Sequence, residues 1–424
     1  MRRRDFLLKS FLSSAGLSLL PTFSSPLGRS RTATTPIRAI TKGPKFHWFG
    51  YYDKYQFDAS GRYVLGMAVD FESRSPTAED KIEIGLIDLA DRDKWTRLGE
   101  SSAWGWQQGC MLQWVPGKTD EVIWNDCKDG QLVSRILNYR TGALRTLPKP
   151  VYALDPSGRW AIGTEFSRIQ KLRPGYGYAS VADPDEKVKA PAETGLYTMD
   201  LVSGENKMLF SLADIASIPY QEKKDIRGYW HWFNHLLVNT DGSRFTFLHR
   251  WREHSLAERP TGNGFVTRMF TADAEGNDLY EIDPSGFTSH FVWRDPSHIC
   301  AFTKPAAQEM GFYLITDKTG HAEQLGRDKM PTNGHQTYLP NHNNEWLVSD
   351  SYPLEDRLQH LYLYHIPTDR RVDLGKFHSP TPYTGEWRCD LHPRSNRAGD
   401  KIVIDSTHGG NGRQMYLIDI GDLS

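Results

Sequence analysis

The sequence predicts an all-β chain folded as one seven-bladed β-propeller, and three observations carry that prediction. The chain of 424 residues has 36 Gly, 24 Pro and 12% aromatic residues, which suits many strands and tight turns rather than long helices. After Pro44 a unit of about 40 to 60 residues recurs seven times, each with a short apolar run, a turn, a second run and one or two more strands. Every turn contains Asp, Asn, Pro or Gly, and six of the seven begin on an apolar or aromatic residue. Seven units with common internal order favour a single propeller over a β-sandwich or two β domains.

In chain order the turns are 57–61, 114–117, 154–158, 238–242, 293–296, 338–341 and 395–399. Apolar second strands follow them, such as Arg62–Leu65, Glu121–Trp124, Arg159–Ile162 and Lys401–Ile404. Third strands come next, among them Ile84–Ile87, Gly195–Thr198, Thr267–Phe270, Gly311–Leu314, His360–Leu363 and Gln414–Leu417. Two insertions, 168–193 in the third unit and 251–264 in the fourth, fall in loops, where functional variation concentrates.

The first 40 residues read differently. Arg2-Arg3-Arg4-Asp5-Phe6-Leu7 precedes a short apolar run, Phe11 to Leu20, and a Ser/Pro/Thr-rich stretch. This reads as an export signal plus linker, resembling the twin-arginine type with an ordinary Sec signal as the alternative; it is too short for a comfortable membrane span, and the protein is expected in the periplasm or outside the cell. No Ala-x-Ala cleavage site is visible, which leaves an uncleaved anchor open. The propeller is then expected over 41–424, with no integral membrane span once the signal is gone. A net charge of −1 and a pI near 7 give no whole-chain argument for nucleic acid or an anionic membrane as partner, and none is expected. The four cysteines show no C-x-x-C spacing and read as buried free thiols, with a Cys110–Cys127 bridge as the alternative.

The units also share a chemical register. Counting back five residues from the middle of each turn reaches His235, His290, His335 and His392 in units four to seven, and Lys54, Met111 and Val151 in units one to three. The chain has only 15 histidines, so four at one register in consecutive units is not a chance pattern. Inner propeller strands begin near the central axis, which places these four in an arc at the channel mouth. Imidazoles converging from adjacent blades suit a divalent metal such as Mn²⁺ or Zn²⁺, with Ca²⁺ a further option, and one held back from the metal can serve as general base. A second polar ring follows where the next strands return, with Asn125, Glu165, His249 and Lys304 at one register and Asp350 and Asp405 one position away. Arg250, Glu386, Arg388 and Asp390 lie near it in sequence.

At these residues the sequence resembles the oligogalacturonate lyases, seven-bladed propellers that cleave uronic-acid oligosaccharides by β-elimination, and the wider set of propeller lyases acting on ulvan-like and rhamnosyl-glucuronate substrates. Trp232-Phe-Asn-His235 with Phe247-Leu-His249 resembles the segment carrying that family's catalytic histidine. Ser289-His290-Phe-Val-Trp293 resembles a strand that supplies a metal ligand, and Asn333-Gly-His335 and Asp390-Leu-His392-Pro393 fall where the family has further axial histidines. The chain departs from the family pattern at Asp390 (histidine there), Trp387 (a glutamine ligand there, with Glu386 as the substitute here) and Arg250 (glutamate there). Arg227 is the nearest counterpart of its substrate-binding arginine.

The resemblance implies a polysaccharide lyase that cleaves a uronic-acid-containing glycan with metal assistance. His235 is the expected base, supported by His249, and Arg250 the cation facing the carboxylate. His290, His335, His392 and Asp390 are the expected metal ligands, and Arg227, Arg388 and Tyr338 the expected substrate contacts. Two alternatives come from other classes. A propeller glycoside hydrolase would draw paired carboxylates from Asp350, Asp405 and Glu165. A TolB-like periplasmic propeller would bind a protein or sugar without turnover.

Overall fold

The computed structural model describes residues 36–221, 224–259 and 264–421. They form seven four-stranded antiparallel sheets, the blades of one propeller. The inner strands are Phe46–Trp48, Gln113–Trp114, Ala153–Leu154, Trp230–Val238, Phe291–Asp295, Thr337–Tyr338 and Arg394–Ser395. All seven predicted turns fall between an inner strand and its neighbour. The reason is visible in the side chain that follows the leading apolar residue. Asp58, Asp155, Asn239 and Asn396 each accept a backbone N–H four or five residues on, from Tyr63, Arg159, Arg244 and Lys401 at 2.8–3.0 Å.

The seventh blade corrects the boundary drawn at residue 41. Its outer strand is Ile37–Ala39, paired antiparallel with Tyr416–Ile418 at the other end of the chain. The expected export signal lies at 1–35, outside the described residues. No described helix is long and apolar enough to cross a membrane.

The core consists of apolar layers between neighbouring blades rather than one central mass. Phe233, Phe245, Phe247 and Phe270 of blade four meet Ile162 and Leu196 of blade three in one such layer. The first insertion folds as a helix, Phe166–Leu172, whose N-terminus is capped by Glu165 accepting from the Ser167 N–H at 3.1 Å. All four cysteines are free, so the Cys110–Cys127 bridge is not formed.

Candidate active site

The four register histidines do converge on one end of the channel, and backbone geometry helps aim them. His235 and His392 adopt left-handed conformations (φ 47° and 44°), as does Met111 at the same register (φ 56°). At His235 the pairing with the second strand slips between Asn234 and Leu237, a bulge that re-aims the side chain. Gly334 precedes His335 because a Cβ there would sit 1.9 Å from the Asp350 carbonyl oxygen.

At the centre of the arc lie two tyrosines that the register does not reveal. The Tyr51 ring centroid is 4.9, 6.5, 6.5 and 5.5 Å from those of His235, His290, His335 and His392. Tyr52 is locked in place, its hydroxyl donating to the Phe291 carbonyl and accepting the Phe291 N–H, both at 3.0 Å. The loop carrying both turns at Gly50 (φ 97°), where a Cβ would meet the Gln108 backbone at 2.9 Å. Blade seven braces this loop. Asp405 accepts the Phe49 and Gly50 N–H groups and pairs with Arg394 at 2.8 Å, while Arg394 donates to the Gly50 carbonyl.

Hydrogen bonds fix the tautomers around the arc. His235 donates from Nε2 to Asp53 at 3.2 Å, which leaves its Nδ1 lone pair facing the Tyr51 hydroxyl at 3.5 Å, a long contact. Its backbone N–H is held by the Tyr152 hydroxyl at 2.8 Å. Burial pulls its pKa down to about 4, against the opposing pull of Asp53, so the imidazole is neutral and basic at neutral pH. Burial drives the Tyr51 hydroxyl well above its ordinary value, so it keeps its proton.

On the far side of Tyr51, His335 donates from Nδ1 to Asp350 (2.9 Å), leaving Nε2 with a free lone pair. Asp350 also accepts the backbone N–H groups of His335 and His392 at 2.7 and 3.0 Å. Nε2 of His335, Nε2 of His392 and Oδ1 of Asp390 are all buried without a partner. These three residues offer ligand atoms within 4.8 Å of one another. Orphaned lone pairs of this kind, with a carboxylate behind one imidazole, fit a divalent cation. His290 borders the cradle, its ring centroid 4.2 Å from that of His335 and its Nδ1 held by Asn333 at 3.0 Å.

Arg250 is buried from the second strand of blade four, with Nε and Nη1 unpartnered. Its charge acts on Tyr51, Tyr152, His235 and His290. Burial first, then repulsion from Arg173, brings its pKa down to about 9, so it stays cationic at neutral pH.

Other expected site residues lie elsewhere or have other work. His249 is in a closed chain: Arg268 donates to its Nδ1 at 3.1 Å, it donates to His231 Nδ1 at 2.8 Å, and His231 donates to the Ile226 carbonyl at 2.7 Å. Neither His249 nitrogen is left for substrate. Arg227 is exposed and paired with Asp225 at 2.8 Å. Tyr338 lies three residues down the channel from His335, lining a cavity of about 360 Å³ on the turn side. Arg388 is spent on Asp390 (2.7 Å) and the Tyr176 hydroxyl (2.5 Å), so it positions a candidate ligand rather than meeting substrate. Glu386 bonds the Ser75 hydroxyl and is not part of the cradle. The carboxylates a hydrolase would need are committed: Asp350 to the two histidines, Asp405 to Arg394 and Glu165 to its helix.

Sequence reasoning missed Tyr51, Asp53, Tyr152, Arg173 and Tyr176. The run Tyr51-Tyr52-Asp53 stands directly before Lys54, the register residue of the first unit, and Arg173 and Tyr176 lie in the flagged insertion. Burial would raise Tyr176, but Arg173 and Arg388 outweigh it and bring its hydroxyl to about 7.

No protein-family model and no curated sequence matches the chain. Its fold is similar to solved propellers. An oligogalacturonate lyase from Vibrio parahaemolyticus superposes with a TM-score of 0.62 at 14% identity, covering 92% of this chain and 95% of that one. An oligogalacturonate lyase in complex with manganese gives 0.62 at 15%, covering 92% and 94%. TolB from Acinetobacter baumannii superposes loosely, at 0.41 and 12% identity over 74% of this chain and 64% of that one. The chain therefore has the seven-bladed propeller fold seen in oligogalacturonate lyase.

Proposed function

We propose that the protein is a lyase cleaving uronic-acid-containing oligo- or polysaccharides by β-elimination, in the periplasm or outside the cell. The observation that carries this reading is a convergence at one channel mouth. A neutral imidazole touching a protonated tyrosine, an unpaired guanidinium and a three-ligand cradle meet there, with no carboxylate pair free for hydrolysis. Elimination asks for a base at C5, stabilisation of the carboxylate as negative charge develops on it, and an acid at the leaving oxygen.

His235 takes the C5 proton on Nδ1, with Asp53 holding the ring and stabilising the imidazolium. Tyr51, kept protonated by its burial, donates its proton to the departing glycosidic oxygen. Arg250 faces the carboxylate. His335, His392 and Asp390 would hold a divalent ion such as Mn²⁺ or Zn²⁺, which supplies further electrophilic stabilisation at the carboxylate when bound. Base and acid lie side by side, so the proton leaves and returns on one face of the sugar. This favours gluco-configured uronates, whose C5–H and C4–O share a face, over galacto-configured ones.

The test is incubation with glucuronate- and galacturonate-containing oligosaccharides while following ultraviolet absorbance from the unsaturated product. Absorbing product, faster from the glucuronate series, is the expected result. Cleavage without absorbance would mean hydrolysis and would overturn the reading. No turnover by metal-loaded protein would leave a sugar-binding propeller.

A further inference from the structure

Buried arginines in this propeller have carboxylate partners almost everywhere. Arg168 pairs with Asp183, Arg268 with Glu281, Arg394 with Asp405 and Arg413 with Glu72. Beside the histidine centre the pattern breaks. Arg250 and Arg252 are only 4% and 5% exposed, yet Nε and Nη1 of both lack a partner, as does Nη1 of Arg173. Among the described residues no ion pair involves any of the three.

What they share is a ring. The guanidinium carbons of Arg173, Arg250 and Arg252 lie 4.7, 5.1 and 5.7 Å from the centroid of Phe265. Cation–π contact of this kind is worth about 0.5–2 kcal/mol. It does not offset the cost of burying like charges together, which runs to several kcal/mol per unpaired ion. The strain registers in the side chains: burial, then repulsion from Arg173, brings Arg252 down to about 10. A cluster held in this state is set up for an anion that the protein itself does not supply.

We infer that Arg173 and Arg252 form a second anion subsite, next to Arg250, that holds an oxyanion on the sugar adjoining the reacting uronate. Arg250 and Arg252 are two apart on one strand, so they present to the same face about 7 Å apart. Arg250 acts on the tyrosines and histidines of the centre, whereas the charge acting on Arg252 is that of Arg173. Two anions at such a separation fit a glycan with negative groups on neighbouring sugars. The second group is a carboxylate or a sulfate ester, both of which a guanidinium pair can grip through parallel N–H donors. That the ligand is a sugar rests on the lyase reading; the anion subsite does not.

The experiment therefore begins with binding. Inorganic sulfate is titrated into the full chain at ionic strength fixed with chloride, followed by calorimetry and thermal melts. Saturable binding is expected, weakened at least tenfold in Arg252→Gln, with Arg252→Lys intermediate and serving as the second variant if the first fails to fold. Wild-type protein that responds to sulfate no more than to chloride, or Arg252 variants that bind it equally well, would overturn the subsite. Oligosaccharides sharing one reacting uronate but carrying a neutral, carboxylated or sulfated neighbour then name the group. The anionic neighbour is expected to lower KM at least tenfold, and that gap to collapse in Arg252→Gln; equal KM for all three overturns the assignment to substrate. Sulfate binding without turnover of any glycan would keep the subsite and sink the lyase reading instead.

Discussion

Blade four contributes to two groups of buried histidines that look alike in burial and ring packing. His231 and His249 stack at 4.9 Å, and His235 belongs to the arc whose rings His290, His335 and His392 follow at 4.2 Å spacings. Both groups are fully buried, and burial lowers the pKa of His231 and His235 alike to about 4. They differ in their accounts of lone pairs. In the first group each ring nitrogen has a protein partner, running from Arg268 through to the Ile226 carbonyl. In the second, Nε2 of His335 and of His392 has none, and Nδ1 of His235 has only a long contact to Tyr51. Unspent hydrogen-bonding capacity, rather than burial or a displaced pKa, separates the arc from the His231–His249 pair.

The largest effect should come from His235→Ala, which removes the proposed base. Turnover per folded molecule is expected to fall about 10²–10⁴-fold, measured by initial rates; full activity would dissolve the distinction between the groups. Next comes Asp350→Asn, which weakens the support behind His335 without touching the cradle atoms. A loss of about 10–100-fold in metal affinity is expected, read by titrating Mn²⁺ or Zn²⁺ against a competing chelator. His249→Ala should have the opposite signature to His235→Ala. It strands Arg268 Nε and His231 Nδ1 and so costs about 2–4 kcal/mol of stability, visible in denaturant melts, with turnover per folded molecule retained.

The smallest effect is a pH trend common to both groups. Burial lowers His231, His235, His249, His290 and His392 below the ordinary value near 6.5, so between pH 6.5 and about 4 the unfolded chain binds more protons than the folded one. Stability should therefore fall as pH drops through this window, by about 2 kcal/mol at pH 5 for a histidine held near 4. His335 runs the other way, since Asp350 more than offsets burial and raises it. Melts at pH 7, 6 and 5 check the sign, and a flat profile would mean that these imidazoles are not buried neutral.

The propeller was legible because its turns recur at a fixed place in each unit, and in four of the seven an Asp or Asn caps the chain reversal. The arc was legible for the same reason: equivalent positions in a closed ring meet at one axis. Tyr51 and Asp53 escaped because they enter from a loop braced by Arg394 and Asp405, more than 340 residues away in sequence. His249 was misread because its partners, His231 and Arg268, sit on flanking strands, and register along one strand says nothing about what lies across it. Tyr338 lies on the strand that follows His335, further down the channel, a displacement that a list of polar residues near a register does not convey.

The strand Ile37–Ala39 has a consequence for how the molecule is made. It is the first part of the propeller to be synthesised, yet its partner, Gln414–Asp419, is nearly the last, so the ring stays open until almost the whole chain has been produced. The expected export signal bears on this as well: a cut beyond residue 36 would strip away the latch. The bared edge of Gln414–Asp419 would then be a template for pairing with another molecule, turning a closed ring into a seed for aggregation.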